Sequence, residues 1–359
     1  VEATAQVLWQ EGVRPGSKVA VLLGNCVELL SLYWAVTRLG AVIVPLSPLL
    51  QAKAVMGLAA DAECELLVCS DGRGAELAEQ QAQREKSEQQ IHVLELQTLQ
   101  LALATGCLEP VPEQLVQPSD LFNIVYSSGT TGLPKGIMHT HQVRAMYGYC
   151  FSQAFGINSQ SVILHTGSLV FNGAFVTMMP CFLNGGHYVF APAFVPDNVL
   201  AVMAEHGVTH TMMVPSQVIS LLENPQFNAE NLPAVEMILV LGAPLQQHYK
   251  LQLQERFPGR FYELYGLTEG FVTVLNGEDA KHKLNSVGCP LPGSRMRIVD
   301  EQGQDLPVGE IGEIVGDGPL MSPGYFGRDD LTQATFRDGW LYTGDLGYAD
   351  QEGFLNLVD

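Results

Sequence analysis

Residues 122–136 read FNIVYSSGTTGLPKG and carry the strongest structural signal in the chain. The first five residues are a largely apolar run, typical of a buried strand. Hydroxyl residues and glycines follow, and a helical pattern begins near Gln142. Glycines let backbone N–H groups converge on an anion, Ser and Thr add hydroxyl donors, and Lys135 adds a positive charge. The segment therefore predicts a strand, a phosphate-binding loop and a helix.

This loop does not follow the Walker A pattern. That pattern needs a glycine, four residues and then Gly-Lys-Ser/Thr, but Gly129 is followed four residues later by Leu133 and then by Pro134. The loop is therefore expected to bind phosphate in a different arrangement. The residues expected to do so are Ser127, Ser128, Gly129, Thr130, Thr131, Gly132 and Lys135.

Apolar runs alternate with helical patterns on the N-terminal side of the loop. Val19–Leu23, Ala41–Leu46 and Leu66–Cys69 predict strands, and a helical pattern runs from about Val27 to Leu39. Such alternation is typical of a parallel sheet covered on both faces, that is, an α/β fold. After Leu284, short β-like runs between Gly, Pro and Asp turns predict a small antiparallel or barrel-like subdomain.

The chain of 359 residues is rich in apolar side chains and strongly acidic. It is 47% hydrophobic and only 16% charged, so it can bury a large core and disorder is not expected. It has 18 Lys and Arg against 38 Asp and Glu, a net charge of −20. Nucleic acids and anionic membranes attract clustered basic residues, so this charge argues against both as partners.

Cysteine usage and hydropathy indicate a cytoplasmic protein. The seven cysteines form no Cys-x-x-Cys pair and no regular spacing, which argues against a disulfide framework or a zinc site. No apolar run reaches the length of about 18 residues that a membrane span requires.

The loop resembles the signature loop of the adenylate-forming (AMP-binding) superfamily, which includes acyl-CoA synthetases, aryl-CoA ligases, firefly-type luciferases and peptide-synthetase adenylation domains. Further resemblances follow in the order of that family and cover essentially the whole chain. They are Leu241–Leu245 with the adenine loop, Tyr265–Glu269 with the Tyr-Gly-x-Thr-Glu motif, Met321–Tyr325 with a Gly-Tyr turn, and Gly339–Asp345 with the Trp-x-x-Thr-Gly-Asp motif. The chain departs from the family pattern at Leu241, where many relatives have Gly, and at Glu263-Leu264, where many have Gln-Gly.

The resemblance implies the fold of an acyl-CoA synthetase N-terminal domain. That fold has two doubly wound, mostly parallel sheets with flanking helices and a small antiparallel barrel-like subdomain. We expect an adenylation core over residues 1–286, with one subdomain of roughly 40–160 and another of 1–39 with 161–286. Residues 287–359 are expected to form the β-rich subdomain, which ends at a hinge.

The family also has a smaller C-terminal lid that carries the adenylation lysine, and this lid is expected to be absent here. The chain begins at Val1 without Met, ends at Asp359 beside the expected hinge, and has its last lysine at Lys283. We therefore expect an internal piece of a longer polypeptide, one that binds ATP or an acyl-adenylate but adenylates slowly and forms little thioester.

The implied reaction is attack of a substrate carboxylate on the ATP α-phosphate, followed in the full-length enzyme by thioester formation with coenzyme A. Tyr265 offers a ring on which adenine stacks, Asp345 accepts both ribose hydroxyls, and Glu269 offers a carboxylate oxygen to Mg²⁺. The residues expected to be catalytic are Thr130, Lys135, Thr268 and Glu269. Those expected to bind the nucleotide beyond the loop are Gly242, Ala243, Pro244, Glu263, Leu264, Tyr265, Gly266, Thr268 and Asp345.

The substrate is expected to be a carboxylic acid without an amine, either fatty or aryl. Amino-acid-activating relatives tend to carry an Asp where this chain has Asn172, and a buried ammonium without a counter-charge is costly. The residues expected to line the acid pocket are Phe171, Asn172, Gly173, Thr177, Gly242 and Gly266. Two alternatives stay open at this point: an adenylation domain that loads a carrier protein, and a nucleotide-binding pseudoenzyme.

Overall fold

The computed structural model describes residues 1–83, 90–105, 110–127 and 134–358. The chain divides into two compact units. The first comprises Val1–Gln142, Ser168–Phe171 and Ser322–Asp329; the second comprises Val143–Gly167, Asn172–Met321 and Asp330–Asp359. Among the described residues, no helix combines the length and apolar character that crossing a bilayer requires.

The first unit is built on a six-stranded sheet. Its strands are β1 (Lys18–Leu22), β2 (Val42–Pro45), β3 (Leu66–Cys69), β4 (His92–Glu95), β5 (Leu121–Ser127) and β6 (Lys135–Thr140). Their order is β4-β3-β1-β2-β5-β6, and every neighbouring pair is parallel except β5 with β6. The accompanying helices are α1 (Glu2–Gln10), α2 (Val27–Arg38), α3 (Ala52–Asp61), α4 (Gly74–Ala82) and α5 (Leu96–Thr105).

The core of this sheet follows from its apolar runs. Every residue of β2 and β3 is buried, as expected for parallel strands with both faces covered. Val55 and Ala59 of α3 pack with Ala20 of β1 and Leu67 of β3 in one apolar cluster. The strands predicted from the sequence on the N-terminal side of the loop are therefore confirmed.

The grouping of residues 1–39 differs from the sequence prediction. The sequence assigned them to a subdomain with residues 161–286, but β1 pairs with both β2 and β3 inside the first sheet. These residues consequently belong to the first unit. The reason is that β1 inserts between strands that follow it in the chain, and hydrophobic periodicity carries no information about strand order.

The second unit contains a seven-stranded sheet. Its strands are β7 (Val162–His165), β8 (His187–Phe190), β9 (His210–Met213), β10 (Met237–Leu241), β11 (Phe261–Gly266), β12 (Val272–Leu275) and β13 (Cys289–Pro290), in the order β13-β12-β11-β10-β9-β7-β8. The strands from β7 to β11 are parallel to their neighbours, whereas β12 is antiparallel to β11 and to β13. The helices are α6 (His141–Phe155), α7 (Gly173–Asn184), α8 (Pro196–Glu205), α9 (Pro215–Leu222), α10 (Gln247–Arg256) and a 3₁₀ turn at Asp279–Lys281.

A third, antiparallel sheet also lies in the second unit. Its strands are β14 (Arg295–Val299), β15 (Gly312–Asp317), β16 (Phe336–Arg337), β17 (Trp340–Ala349) and β18 (Leu355–Val358), and α11 (Asp329–Thr335) precedes β16. Ile314, Leu341 and Leu355 of this sheet share an apolar core with Phe271. Two mostly parallel sheets with flanking helices and one antiparallel sheet confirm the predicted fold class. The predicted boundary at residue 287 stays a prediction.

A substitution at Gly316 of β15 tests how tightly the apolar core of the third sheet is packed. A β-carbon added at Gly316 would overlap the buried ring of Phe271. We expect Gly316→Ala to lower the free energy of unfolding by about 1–3 kcal/mol, because overpacking moves side chains off their preferred rotamers. Denaturant unfolding measures this. Gly57→Ala in α3, where no atom lies within 4 Å of an added β-carbon, is the control and should not destabilise the fold.

Candidate functional site

Two loops leave the same edge of the seven-stranded sheet. β10 and β11 are parallel, and Leu241 lies opposite Leu264 at their carboxyl ends. The loop that follows β10 and the turn that follows β11 are therefore neighbours. In open α/β sheets this edge is where ligands bind. Most of the residues predicted to contact adenine and ribose are carried by these two segments.

Tyr265 and Asp345 meet directly, although they are far apart in the sequence. The Tyr265 hydroxyl donates a hydrogen bond of 2.7 Å to Oδ2 of Asp345. Burial and this carboxylate both raise the pKa of Tyr265 above its usual range, so the phenol stays protonated and keeps donating. The ring predicted to stack on adenine and the carboxylate predicted to bind ribose are thus in direct contact within the second unit.

Asp345 lies inside strand β17, where the pairing with β15 is irregular, and hydrogen bonds of neighbouring residues hold its backbone. The Thr343 hydroxyl donates to the Ile314 carbonyl at 2.7 Å and accepts the Asp345 N–H at 3.1 Å. The Gly344 N–H donates to the Glu313 carboxylate at 2.9 Å. Asp345 itself is solvent-exposed. These bonds fix the backbone and leave the carboxylate accessible, which suits the binding of a polar ligand.

The turn between β11 and β12 contains Thr268 and Glu269, and it requires glycine at position 266. A β-carbon at Gly266 would lie 2.7 Å from the Phe271 carbonyl oxygen, so a larger residue would disrupt the pairing of the two strands. The turn is closed by hydrogen bonds from the Leu267 N–H to the Phe271 carbonyl and from the Gly270 N–H to the Leu267 carbonyl. Glu269 is only 9% exposed.

The Glu263 side chain is directed into the protein. Its carboxylate forms an ion pair with Lys250 of α10, and the two residues are 3% and 7% exposed. Burial raises the pKa of Glu263, and the neighbouring Lys250 ammonium partly opposes this. The sequence groups Glu263 with the nucleotide contacts, and that role stays a prediction. In the structure its carboxylate pairs with Lys250 of α10.

The first unit holds the ends of the predicted phosphate loop. Ser127 of β5 lies opposite Lys135 of β6, so these strands join the loop ends as a hairpin. The Lys135 ammonium lies 5.3 Å from the centre of the Tyr325 ring, a cation–π distance. The predicted contacts Ser128, Gly129, Thr130, Thr131 and Gly132 lie outside the described residues.

A network next to the loop anchors β5. The Tyr126 hydroxyl donates to Asp61 Oδ2 at 2.6 Å, and Arg328 pairs with the other oxygen of this carboxylate at 2.8 Å. Burial and Asp61 raise the pKa of Tyr126 above its usual range. The residue immediately before Ser127 is thus held by a charge-assisted hydrogen bond, which is stronger than a neutral one.

Several of the residues predicted to line the acid pocket lie around the start of α7. Asn172 donates to the Tyr147 hydroxyl at 3.2 Å, and its Oδ1 is buried without a hydrogen-bond donor among the described residues. A β-carbon at Gly173 would lie 3.4 Å from Leu241, so this glycine sits beside the end of β10. Thr177 is fully buried, and Phe171, in the first unit, is 53% exposed.

Two buried cationic side chains of the second unit were not predicted from the sequence. Lys250 lies on the otherwise polar helix α10, and no motif marks it as the partner of Glu263. Arg144 of α6 is 1% exposed and its guanidinium stacks 3.8 Å from the centre of the Phe175 ring. The only sequence signal for either residue is a basic side chain in a strongly acidic chain, which does not say that the side chain is buried.

The Glu269 carboxylate is a group of the kind that binds a magnesium ion. In the described ranges, no three His, Cys, Asp or Glu side chains cluster in a way that could hold a metal by themselves. Magnesium is usually bound through one or two carboxylates together with phosphate oxygens and water. One carboxylate on a tight turn beside the predicted nucleotide site fits that mode of binding.

Comparison with known proteins gives consistent relatives. The chain is 31% identical over 255 residues to the medium/long-chain-fatty-acid–CoA ligase FadD8 of Mycobacterium tuberculosis, covering 70% of this chain and 44% of that protein. It is 31% identical over 366 residues to feruloyl-CoA synthase of an Amycolatopsis species, covering 100% of this chain and 71% of that protein. The chain therefore spans less than half of the first relative and about seven tenths of the second.

A solved structure and a family model support the same assignment. The structure of ATP-bound MatB from Rhodopseudomonas palustris superposes with a TM-score of 0.91 at 30% identity, covering 99% of this chain and 71% of that one. The sequence model of the family described as AMP-binding enzyme matches residues 1–326. The protein accordingly belongs to the AMP-binding, or adenylate-forming, superfamily, and its relatives are acyl-CoA and aryl-CoA ligases.

Proposed function

We propose that this protein activates a carboxylic acid with ATP, and that the thioester with coenzyme A is formed in a second step. The observation that carries the proposal is the Tyr265–Asp345 hydrogen bond, because it brings an aromatic ring and an accessible carboxylate together at the ligand-binding edge of the sheet. FadD8 and feruloyl-CoA synthase, by their names, are CoA ligases, and the MatB structure contains ATP.

The nucleoside binds through groups already held in place. Asp345 accepts the two ribose hydroxyls, and the hydrogen bonds of the Thr343 hydroxyl keep its backbone in position before the ligand arrives. The Tyr265 ring stacks on adenine, a contact worth about 1–3 kcal/mol. The backbone of Gly242–Pro244 forms the other wall of the adenine site. Preorganised contacts of this kind reduce the ordering cost of binding.

The first step forms an acyl-adenylate and releases pyrophosphate. A carboxylate oxygen of the substrate attacks the α-phosphorus while the bond from that phosphorus to the pyrophosphate oxygen breaks. The negative charge that develops needs neutralisation. Thr268 donates to the α-phosphate, and Glu269 would hold Mg²⁺, which would neutralise phosphate charge. The sequence predicts that Thr130 and Lys135 of the phosphate loop are further phosphate donors.

In the second step the thiol of coenzyme A attacks the acyl carbon, and AMP leaves with its phosphate oxygen. The acid is amine-free, because Asn172 is neutral and pairs with the Tyr147 hydroxyl. An ammonium placed beside Asn172 would gain no charged partner from that residue. The names of the relatives include both fatty and aryl acids, so both classes belong in a screen.

The proposal is tested by ATP–pyrophosphate exchange with a panel of fatty, aryl and amino acids, together with calorimetry of ATP binding. We expect ATP binding, and exchange that depends on a fatty or aryl acid. Binding of ATP without exchange for any acid would indicate the pseudoenzyme instead. Transfer of the acyl group to a carrier protein but not to coenzyme A would indicate the carrier-loading alternative.

A further inference from the structure

We propose that Asn25 and Tyr33 are positioning residues, which hold a turn of the chain and thereby keep the Phe171 ring in place to contact the acid substrate. The inference deepens the proposed function and rests on it, since the sequence predicts that Phe171 lines the acid pocket. It gives Asn25 and Tyr33 a role through the backbone of Leu169, two residues before Phe171, and not through contact with the acid.

The turn is Ser168–Phe171, which belongs to the first unit and precedes α7 in the chain. The Phe171 N–H donates to the Ser168 carbonyl at 3.4 Å, the hydrogen bond of a four-residue β-turn. The two central residues, Leu169 and Val170, are 0% and 2% exposed, whereas Phe171 is 53% exposed. Turns ordinarily run over the protein surface. The centre of this turn is instead buried, and the aromatic ring that follows it is accessible.

Both backbone polar groups of Leu169 are bonded to side chains at or near α2. The Leu169 N–H donates to Oδ1 of Asn25 at 2.9 Å, and the Leu169 carbonyl accepts the Tyr33 hydroxyl at 3.0 Å. Asn25 lies between β1 and α2, and Tyr33 lies on α2 and is fully buried. A buried backbone N–H or carbonyl without a partner is costly, so these two bonds determine where the turn lies.

The elements that carry the two side chains are themselves firmly held. Asn25 follows β1, which is paired with β2 on one side and with β3 on the other. Tyr33 is among the largest fully buried side chains of the chain. An accessible aromatic ring on a loosely held segment would lose binding free energy to ordering when a ligand arrives. Fixing Leu169 at both polar groups limits that cost for Phe171.

Three variants test the two bonds. Asn25→Leu removes the acceptor of the Leu169 N–H at similar volume, and Tyr33→Phe removes only the hydroxyl. In ATP–pyrophosphate exchange each should raise the KM for the acid about three- to tenfold, the size of one hydrogen bond, and leave the KM for ATP within about twofold of the wild type. Asn25→Asp keeps an acceptor oxygen beside the N-terminus of α2, where negative charge is favourable, and should retain the wild-type KM for the acid.

A variant of Phe171 identifies the route of the effect. Phe171→Ala should itself raise the KM for the acid. Adding Tyr33→Phe to it should raise that KM no further, because the hydroxyl acts through a ring that is already absent. If the two effects multiplied, Tyr33 would act by another route and the inference would be overturned.

Thr37→Val is the matched control. The Thr37 hydroxyl is buried on the same helix and donates to the Tyr33 carbonyl at 2.9 Å, so the variant also removes a buried hydroxyl of α2. It should leave the KM for the acid unchanged. Hydrogen exchange reports on the turn directly: the Leu169 amide should exchange faster in Asn25→Leu than in Asn25→Asp or the wild type.

An unchanged KM for the acid in Asn25→Leu and Tyr33→Phe, with a raised KM in Phe171→Ala, would overturn the inference. A wild-type KM in Phe171→Ala would overturn it as well, since the ring would then not contact the acid. If no acid supports exchange in the wild type, the proposed function fails instead. The exchange rate of the Leu169 amide then still decides whether Asn25 holds the turn.

Discussion

Replacing Asp345 by alanine is expected to weaken ATP binding at least about 100-fold. The carboxylate accepts two ribose hydroxyls in the proposed complex, and each hydrogen bond to a charged group contributes about 1.5–3 kcal/mol. A factor of ten in affinity corresponds to about 1.4 kcal/mol. The variant should still fold, because Asp345 is exposed and hydrogen bonds of Thr343 and Glu313 hold this part of β17. Calorimetry of ATP binding measures the loss.

Two comparisons make the Asp345 result specific. Asp345→Asn retains one acceptor oxygen and should lose less affinity than the alanine variant. Asp305→Ala removes an exposed carboxylate of similar setting, paired with Arg297 on the third sheet, and should bind ATP like the wild type. If the alanine variant at 345 bound ATP as tightly as the wild type, the proposed contact between Asp345 and the ribose would be wrong.

Replacing Glu269 by glutamine is expected to lower pyrophosphate exchange about 100-fold or more, the size typical of a lost charge-stabilising group. Glutamine has the shape of glutamate but lacks the charge that a hard cation prefers. The variant should need more Mg²⁺ for half-maximal exchange, whereas ATP binding measured without Mg²⁺ should not change. This pattern separates a metal-holding role from a structural one.

The control for Glu269 is Glu278→Gln. Glu278 is exposed and pairs with Lys281 three residues away. Surface pairs of this kind contribute at most about 1 kcal/mol, so exchange and its Mg²⁺ dependence should match the wild type. If Glu269→Gln behaves like this control, Glu269 does not hold the metal and the predicted metal ligand is wrong.

The elements of the fold were largely predictable from local pattern. The apolar run Leu66–Cys69 is β3, and the helical pattern from Val27 is α2. Burial acts on neighbouring residues through fixed periods, so it leaves a readable trace in the sequence. The strand order left no such trace: β1 lies between β3 and β2, which placed residues 1–39 in a different unit from the one predicted.

The candidate site divides in the same way. Its chemical types were readable, because a hydroxyl-glycine loop, a tyrosine before Gly266 and an aspartate after Gly344 each have a recognisable local context. The contact partners of these residues could not be read from the sequence. Tyr265 meets Asp345 across 80 residues, and Glu263 pairs with Lys250 from another element. Neither pair is spaced by a helical or strand period.

The amino-acid sequence alone thus determined the α/β class, the family resemblance and the residue types available for ATP chemistry, because these depend on local composition and short motifs. Only the tertiary structure decided that β1 joins the first sheet, that Glu263 faces Lys250 and that Tyr265 bonds to Asp345. Those outcomes depend on contacts between distant residues, whose free energies are set by packing and burial in the folded chain.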